Sequence, residues 1–153
     1  MNDLIDSADN VLLLRPLSPE GDVTVLPAVD PVTEPNGAQG VVVVQIFAVK
    51  TNSVEEFAKQ AEATFASYRA AGGREAGVLV TLDVKNNFPQ LPYRTDGPFL
   101  VWLGILKDNQ MLEGFIPVVD RSLKSFTATG LLRSPPELIV LDPTPRSRLR
   151  WLP

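Results

Sequence analysis

The 153-residue chain contains no cysteine and no histidine. Without cysteine it has no thiolate nucleophile, no disulfide and no Cys/His zinc site. Without histidine it lacks the commonest general base near neutral pH and a usual ligand of haem iron. Chemistry would have to use carboxylate, amine, guanidinium, phenol or hydroxyl groups, or a bound cofactor. We predict that the chain binds no metal and no cofactor.

Long basic runs and long apolar runs are also missing. The net charge is −4, and no Lys/Arg run precedes the C-terminal tail, so the sequence lacks the basic patch typical of a nucleic-acid-binding protein. Apolar runs such as 41–44 are far shorter than the ~20 residues that span a bilayer. Asp3, Asp6 and Asp9 precede any apolar run, unlike a signal or transit peptide. We therefore expect a cytoplasmic protein that binds no nucleic acid and inserts into no membrane.

The chain length suits one domain preceded by an arm. Residues 15–38 contain many prolines and glycines and are typical of an extended connector. The sequence therefore predicts an N-terminal arm over 1–39 and a folded domain over 40–153.

Segments 4–19 and 131–146 match each other without a gap. Each is a turn, a short apolar strand and a proline stop, and the identical pairs are Leu4/Leu131, Ser7/Ser134, Leu14/Leu141 and Pro16/Pro143. The arm thus resembles the end of an upstream repeat, a remnant of a tandem protein. We expect Val11–Leu14 to add to a sheet edge, either its own or a partner's.

Hydrophobic periodicity predicts the elements of the domain. Strands are predicted at 41–49, 77–84, 99–106 and 137–142, a helix follows Ser53, and a helical region interrupted at Pro117 covers 108–129. Ser53 and Glu56 fit a capping box for the first helix. The order βαββαβ is that of the ferredoxin-like α+β fold, an antiparallel sheet with both helices on one face.

Both faces of this sheet are apolar. Val41, Val43 and Phe47 share one face of the first strand, while Val42 and Val44 share the other. Two helices cover one face only. An apolar face left open predicts a partner sheet, supplied by a homodimer or by a second repeat.

Three segments resemble the NIPSNAP family: ValGlnIlePheAlaValLysThrAsnSerValGluGluPhe from Val44, PheLeuValTrpLeuGly from Phe99, and a strand ending in ProThrProArgSer near the C-terminus. The resemblance covers about residues 41–148. It implies a dimeric α+β barrel, in which two ferredoxin-like units pack sheet against sheet, and family members often carry two units in tandem. The superfamily also includes cofactor-independent antibiotic-biosynthesis monooxygenases. The NIPSNAP family itself has no firmly assigned chemistry.

Five residues are candidates for a ligand site. Trp102 either lines a site for a flat aromatic ligand or fills the core. Gln45 and Thr81 are polar residues within apolar strands. They either bind a ligand or form a buried pair whose hydrogen bonds are satisfied by each other or by nearby backbone. Tyr93 and Arg94 lie in the loop before the third strand, where they bind a phenolate or carboxylate, face solvent or contact a partner subunit.

Two functions follow from these observations. The first is a binding or interaction module of unresolved role that holds a small apolar or aromatic ligand between sheets. The alternative is a cofactor-independent monooxygenase or isomerase of the antibiotic-biosynthesis monooxygenase type, acting on a phenolic or polyketide-like substrate. The first is favoured because the chain has no evident acid/base couple and no histidine.

Overall fold

The computed structural model describes residues 11–19, 23, 39–85, 90, 94 and 96–152. Its elements are β1 (Leu14–Pro16), β2 (Val41–Ala48), α1 (Val54–Ala70), β3 (Arg74–Thr81), β4 (Phe99–Leu106), α2 (Asn109–Ala128) and β5 (Glu137–Leu141). The strands form one antiparallel sheet in the order β1-β3-β4-β2-β5. The predicted α+β fold, with its βαββαβ order and an extra N-terminal strand, is confirmed.

The extra strand lies slightly later than predicted. β1 pairs with β3 of its own chain, with Leu14 opposite Thr81 and Pro16 opposite Leu79. Residues before it follow the same path, because the Leu82 N–H donates to the Leu13 carbonyl at 2.8 Å. The segment therefore completes a sheet edge of its own molecule.

β3 and α2 differ from the prediction. β3 begins at Arg74 instead of residue 77, because a bulge between Glu75 and Gly77 lets the strand continue along β4. α2 runs unbroken through Pro117, although proline supplies no N–H to the helix. Phe115 and Val119, on both sides of Pro117, are both buried, so the two halves of α2 pack against the same core.

The helices begin differently from each other. The capping box predicted for α1 is wrong: the Ser53 side chain makes no cap bond, and its hydroxyl lies 3.4 Å from the Thr51 carbonyl. Asp108 does cap α2, since its carboxylate accepts from the Met111 N–H at 2.8 Å. Within the described part of the chain, neither helix has the length and apolar character needed to cross a membrane.

The main core lies between the sheet and the two helices. Trp102, on β4, has no exposed surface and lies edge-on to Tyr68 of α1, with ring centroids 5.1 Å apart. Its other neighbour, Phe115 of α2, is stacked at 6.0 Å. Phe47 of β2 meets Phe126 of α2 at 4.7 Å. Burial of such side chains stabilises the fold by about 2–3 kcal/mol each.

The outer sheet face is covered in part by the chain's own C-terminal segment. Leu149 and Trp151 pack against a buried cluster on that face made of Val42, Ala76, Leu103 and Ile105. The Trp151 N–H donates to the Gln39 carbonyl at 2.8 Å, and the Arg74 guanidinium lies 4.0 Å from the centre of the Trp151 ring. The expectation of a wholly open face is therefore corrected. On β5, Ile139 and Leu141 remain 39% and 48% exposed.

Two glycines provide a matched test of the packing. A Cβ on Gly104 would lie 2.2 Å from the Trp102 ring, whereas a Cβ on Gly114 of α2 would meet nothing within 4 Å. We predict that Gly104→Ala lowers the free energy of unfolding by about 1–3 kcal/mol through overpacking. Gly114→Ala should instead raise it by about 0.5–1 kcal/mol, because alanine favours a helix. Urea unfolding followed by circular dichroism measures both, and equal effects would contradict the packing around Trp102.

Candidate functional site

Two of the predicted site residues lie in the core beneath the helices. Gln45 is 1% exposed, and its side-chain oxygen accepts from the Tyr68 hydroxyl at 2.8 Å. The Trp102 indole N–H donates to the Glu75 carboxylate at 2.9 Å. Both residues therefore lie on the helix-covered face, whereas a second sheet would cover the opposite face. In these positions each has its own hydrogen-bond partner, as buried polar groups require.

The Tyr68 hydroxyl holds its proton tightly. Burial raises the pKa of Tyr68 to about 12, while hydrogen bonds with Gln45 and Ser122 act in the opposite direction. A phenol held neutral in this way donates a hydrogen bond and does not act as a base near neutral pH. The pair with Gln45 therefore serves as a fixed polar link between α1 and β2.

An ion-pair network closes the edge of this core. Arg69 donates to Glu75 at 2.8 Å and to Glu62 at 2.5 Å, and the Glu62 hydrogen bond is the main cause that raises the pKa of Arg69. The same Glu75 oxygen accepts from Trp102. All three charged side chains are partly exposed, so each pair adds only a modest stability. The network fixes the orientation of the indole rather than forming a pocket.

A groove of about 740 Å³ lies beside β1, where β3 ends and α1 begins. The groove is lined by Arg15, Leu17, Thr51, Asn52, Val54, Glu55, Val80, Thr81, Leu82, Asp83, Val84, Arg94, Gly97 and Pro98. The structure thus brings together two predicted site residues, Thr81 and Arg94, and separates them from Gln45 and Trp102. Tyr93 lies outside the described residues.

Thr81 ties the groove to the start of β4. Its hydroxyl accepts from the Phe99 N–H at 2.7 Å and lies 3.4 Å from the Phe99 carbonyl. The Thr81 hydroxyl therefore satisfies a backbone N–H group that would otherwise need another hydrogen-bond acceptor. Thr81 fixes the wall of the groove near Gly97 and Pro98, which also line it.

The Arg94 guanidinium is held in one orientation. Its Nε and Nη2 atoms donate to the two oxygens of Asp96 at 3.0 and 2.7 Å, and its central carbon lies 4.6 Å from the centre of the Phe99 ring. The hydrogen bond from Arg94 is the main cause that lowers the pKa of Asp96. A guanidinium fixed between a carboxylate and an aromatic ring is positioned before any ligand arrives.

Sequence reasoning missed the contribution of β1 to the groove. Arg15 lies opposite Val80, so the two share the helix-covered face, and Leu17 packs against the main core. The only available signal was the repeated segment, which placed a strand at this edge without identifying its neighbours. Two guanidinium groups, Arg15 and Arg94, therefore line the same groove as the carboxylates of Glu55 and Asp83.

The groove is equipped to bind and orient a molecule. Arginine side chains match planar anions, and Leu17, Val80 and Val84 supply apolar surface. Its hydroxyl groups belong to Thr51 and Thr81, and the Thr81 hydroxyl is already bonded to the backbone. In the described part of the lining, no hydroxyl is paired with a base as a nucleophile requires.

Comparison with known proteins gives similarity to solved structures alone: no protein-family profile and no curated protein matches the chain. An Agrobacterium tumefaciens protein is 14% identical, with a TM-score of 0.47 over 71% of this chain and 98% of its own. A NIPSNAP domain protein from Burkholderia xenovorans is 15% identical, with a TM-score of 0.44 over 68% and 94%. A candidate antibiotic biosynthesis monooxygenase from Nitrosomonas europaea is 11% identical, with a TM-score of 0.41 over 68% and 89%. At these identities and TM-scores, none of these similarities assigns a function to the chain.

The raised pKa of Tyr68 predicts a loss of stability at high pH. The folded chain holds the proton up to about pH 12, whereas an unfolded tyrosine releases it near pH 10.0. The contribution of the neutral Tyr68 side chain to the free energy of unfolding is therefore fully present below about pH 10. It falls by on the order of 2–3 kcal/mol as the pH rises toward 12. Urea unfolding between pH 8 and about 12 should show this loss in the wild type and a smaller one in Tyr68→Phe. Parallel pH profiles for the two proteins would contradict it.

Proposed function

We propose that this protein is a binding module that holds a small aromatic or apolar molecule carrying an acidic group. The observation that carries the proposal is the groove beside β1, where Arg15 and Arg94 meet apolar side chains. Charge-assisted hydrogen bonds from guanidinium groups bind carboxylates and phenolates well. The apolar surface of Leu17, Val80 and Val84 would receive the ring of such a molecule.

The size of the groove supports a small-molecule ligand. Its volume of about 740 Å³ falls within the ~300–1,000 Å³ that is usual for ligand pockets. Thr81 would position the wall near the ligand, and we propose that Tyr93, the neighbour of Arg94 in sequence, adds a phenol. For Gln45 and Trp102, direct contact with the ligand stays a prediction. Their burial supports a role in holding the sheet that carries the groove.

Salicylate, a planar phenol carboxylate, is a suitable first probe. We predict that it binds the wild type and that Arg94→Met weakens its affinity by about tenfold or more, because one charge-assisted hydrogen bond contributes about 1.5–3 kcal/mol. Arg146→Met is the matched control, since Arg146 is exposed and outside the groove. Isothermal titration calorimetry measures the three affinities.

Equal affinities of the wild type and Arg94→Met would contradict binding in this groove. Mass spectrometry of the ligand after incubation in air separates the binding module from the alternative monooxygenase or isomerase. A binding module returns the ligand unchanged, whereas an enzyme of that type returns an oxygenated or rearranged product. Native mass spectrometry of protein purified from its source cell would identify a retained natural ligand.

The proposal includes a cytoplasmic homodimer. Ile139 and Leu141 are exposed on the outer face at the β5 end of the sheet, next to the partly buried Val44. Apolar surface of this kind, beside the area covered by Leu149 and Trp151, is suited to a second copy of the chain. The N-terminal segment, with its similarity to the end of the domain, supports descent from a two-repeat protein.

We predict a dimeric mass at micromolar concentration and a shift toward monomer in Ile139→Lys. A lysine in that position would bring a charge into the dimer contact, where its desolvation is unfavourable. Met111→Lys is the control, because Met111 is also exposed but lies on α2. Sedimentation velocity measures the masses, and a monomeric wild type would contradict the homodimer.

A further inference from the structure

The two outermost strands of the sheet lie in segments of similar sequence. β1 forms one edge and β5 the other. Residues 11–14 and 138–141 are apolar at all four positions, Leu14 corresponds to Leu141, and Pro16 corresponds to Pro143. An apolar segment followed by a proline therefore occurs at both edges of the sheet, which raises the question of whether the two segments are interchangeable.

Backbone groups on both sides of β1 bind the β3 edge and the loop before β4. The Val11 and Leu13 carbonyls accept from Arg94 and Leu82 at 2.7 and 2.8 Å, and the Leu17 N–H donates to Val78 at 2.9 Å. The residues that face β3 are therefore odd-numbered. The backbone of the even-numbered Pro16 points away from β3, so its lack of an N–H group removes no hydrogen bond between β1 and β3.

The β5 segment has the same backbone groups at the corresponding positions. Leu138 and Val140 supply the two carbonyls, and Thr144 supplies the N–H that corresponds to Leu17. Pro143 takes the position of Pro16, where no N–H is needed. The backbone of this segment can thus reproduce each of the three contacts.

The Leu138 and Val140 carbonyls point away from β2 while β5 is paired with β2 in its own sheet. The Ala48 carbonyl accepts from Arg133, and the Lys50 N–H donates to Leu131, both at 2.8 Å, so even-numbered residues of β2 face the β5 side. Val44 therefore bonds with its partner Ile139, and by alternation Leu138 and Val140 direct their groups outward. In the described ranges no strand pairs with that outer edge.

We propose that the β3 edge accepts β5 of a second copy of this chain, and that β1 competes with it for this edge. The inference builds on the proposed homodimer and names the contact. In this register Leu141 of the second copy stands opposite Thr81, as Leu14 does within one chain. Reciprocal contacts between two copies use both edges and close a dimer.

The exchange changes the charge of the groove. Arg15 and Leu17 line it when β1 is in place. Their counterparts in the β5 segment are Asp142 and Thr144, so a guanidinium is replaced by a carboxylate. The groove that is suited to an anion would then repel one, so an anionic ligand favours the β1-bound state.

Engineered cysteines test the contact directly, because the chain has none of its own. In the full-length Thr81→Cys/Leu141→Cys variant, the two positions within one chain are separated by three strand spacings across the sheet, so they lie at least about 14 Å apart. They also lie at opposite ends of the sheet, because Leu141 is in the same row as Arg74 at the start of β3. A disulfide needs Cα atoms closer than about 7 Å. Oxidised glutathione can therefore link these positions only between two copies.

We expect a covalent dimer in this variant and several-fold less in Thr81→Cys/Val140→Cys, because Val140 points to the other sheet face. Adding Leu17→Pro, which removes the Leu17 N–H, should increase the dimer by weakening β1. Non-reducing gel electrophoresis quantifies each species, with circular dichroism to verify folding. A dimer yield equal to that of the Val140→Cys control would overturn the inference, and a yield unaffected by Leu17→Pro would overturn the competition.

A locked chain provides an independent measurement that leaves Leu17 intact. Leu14→Cys/Thr81→Cys joins β1 to β3 within one molecule, since these residues are direct partners. Oxidation should lower the dimer population seen by native mass spectrometry, and reduction should restore it. A dimer that persists unchanged after oxidation keeps the proposed homodimer and overturns the use of this edge.

Discussion

The packing of Trp102 is the constraint on which the rest of the structure depends. Its indole lies on Gly104, between Tyr68 of α1 and Phe115 of α2, and donates to Glu75 of β3. One side chain thus fixes two helices and two strands relative to each other. Because Gly104 has no Cβ, the ring lies flat over β4 and the helices approach the sheet closely.

The groove lies beyond this rigid core, and its parts come from distant segments of the chain. β1 supplies Arg15 by pairing with β3, and the loop before β4 supplies Arg94. The same loop is attached to the segment between α2 and β5, because Arg133 donates to the Pro98 carbonyl at 3.0 Å. Arg133 also donates to the Val49 carbonyl after β2, at 2.8 Å. The core therefore supports a site whose walls are separate segments, which is usual where loops carry function on a rigid scaffold.

The pattern of apolar residues predicted the elements and their order well, for a physical reason. The nearly continuous apolar runs along 41–48 and 99–106 are a local property of strands that are buried on both faces. They did not decide which face the helices cover, since Val42 and Val43 are equally apolar. This is why Gln45 and Trp102 were grouped with a site between sheets, whereas the structure places them beneath α1 and α2. Arg15 could not be assigned to the groove because strand pairing, a long-range property, brings it there.

The C-terminal segment on the outer face gives the molecule two separate optical reporters. The chain has two tryptophans, and they lie on opposite faces of one sheet. Trp102 is sealed in the core, while Trp151 is partly exposed beneath the Arg74 guanidinium. Fluorescence from the first follows the packing of the helices, and fluorescence from the second follows release of the C-terminal segment. Each face of the sheet thus carries its own intrinsic fluorophore.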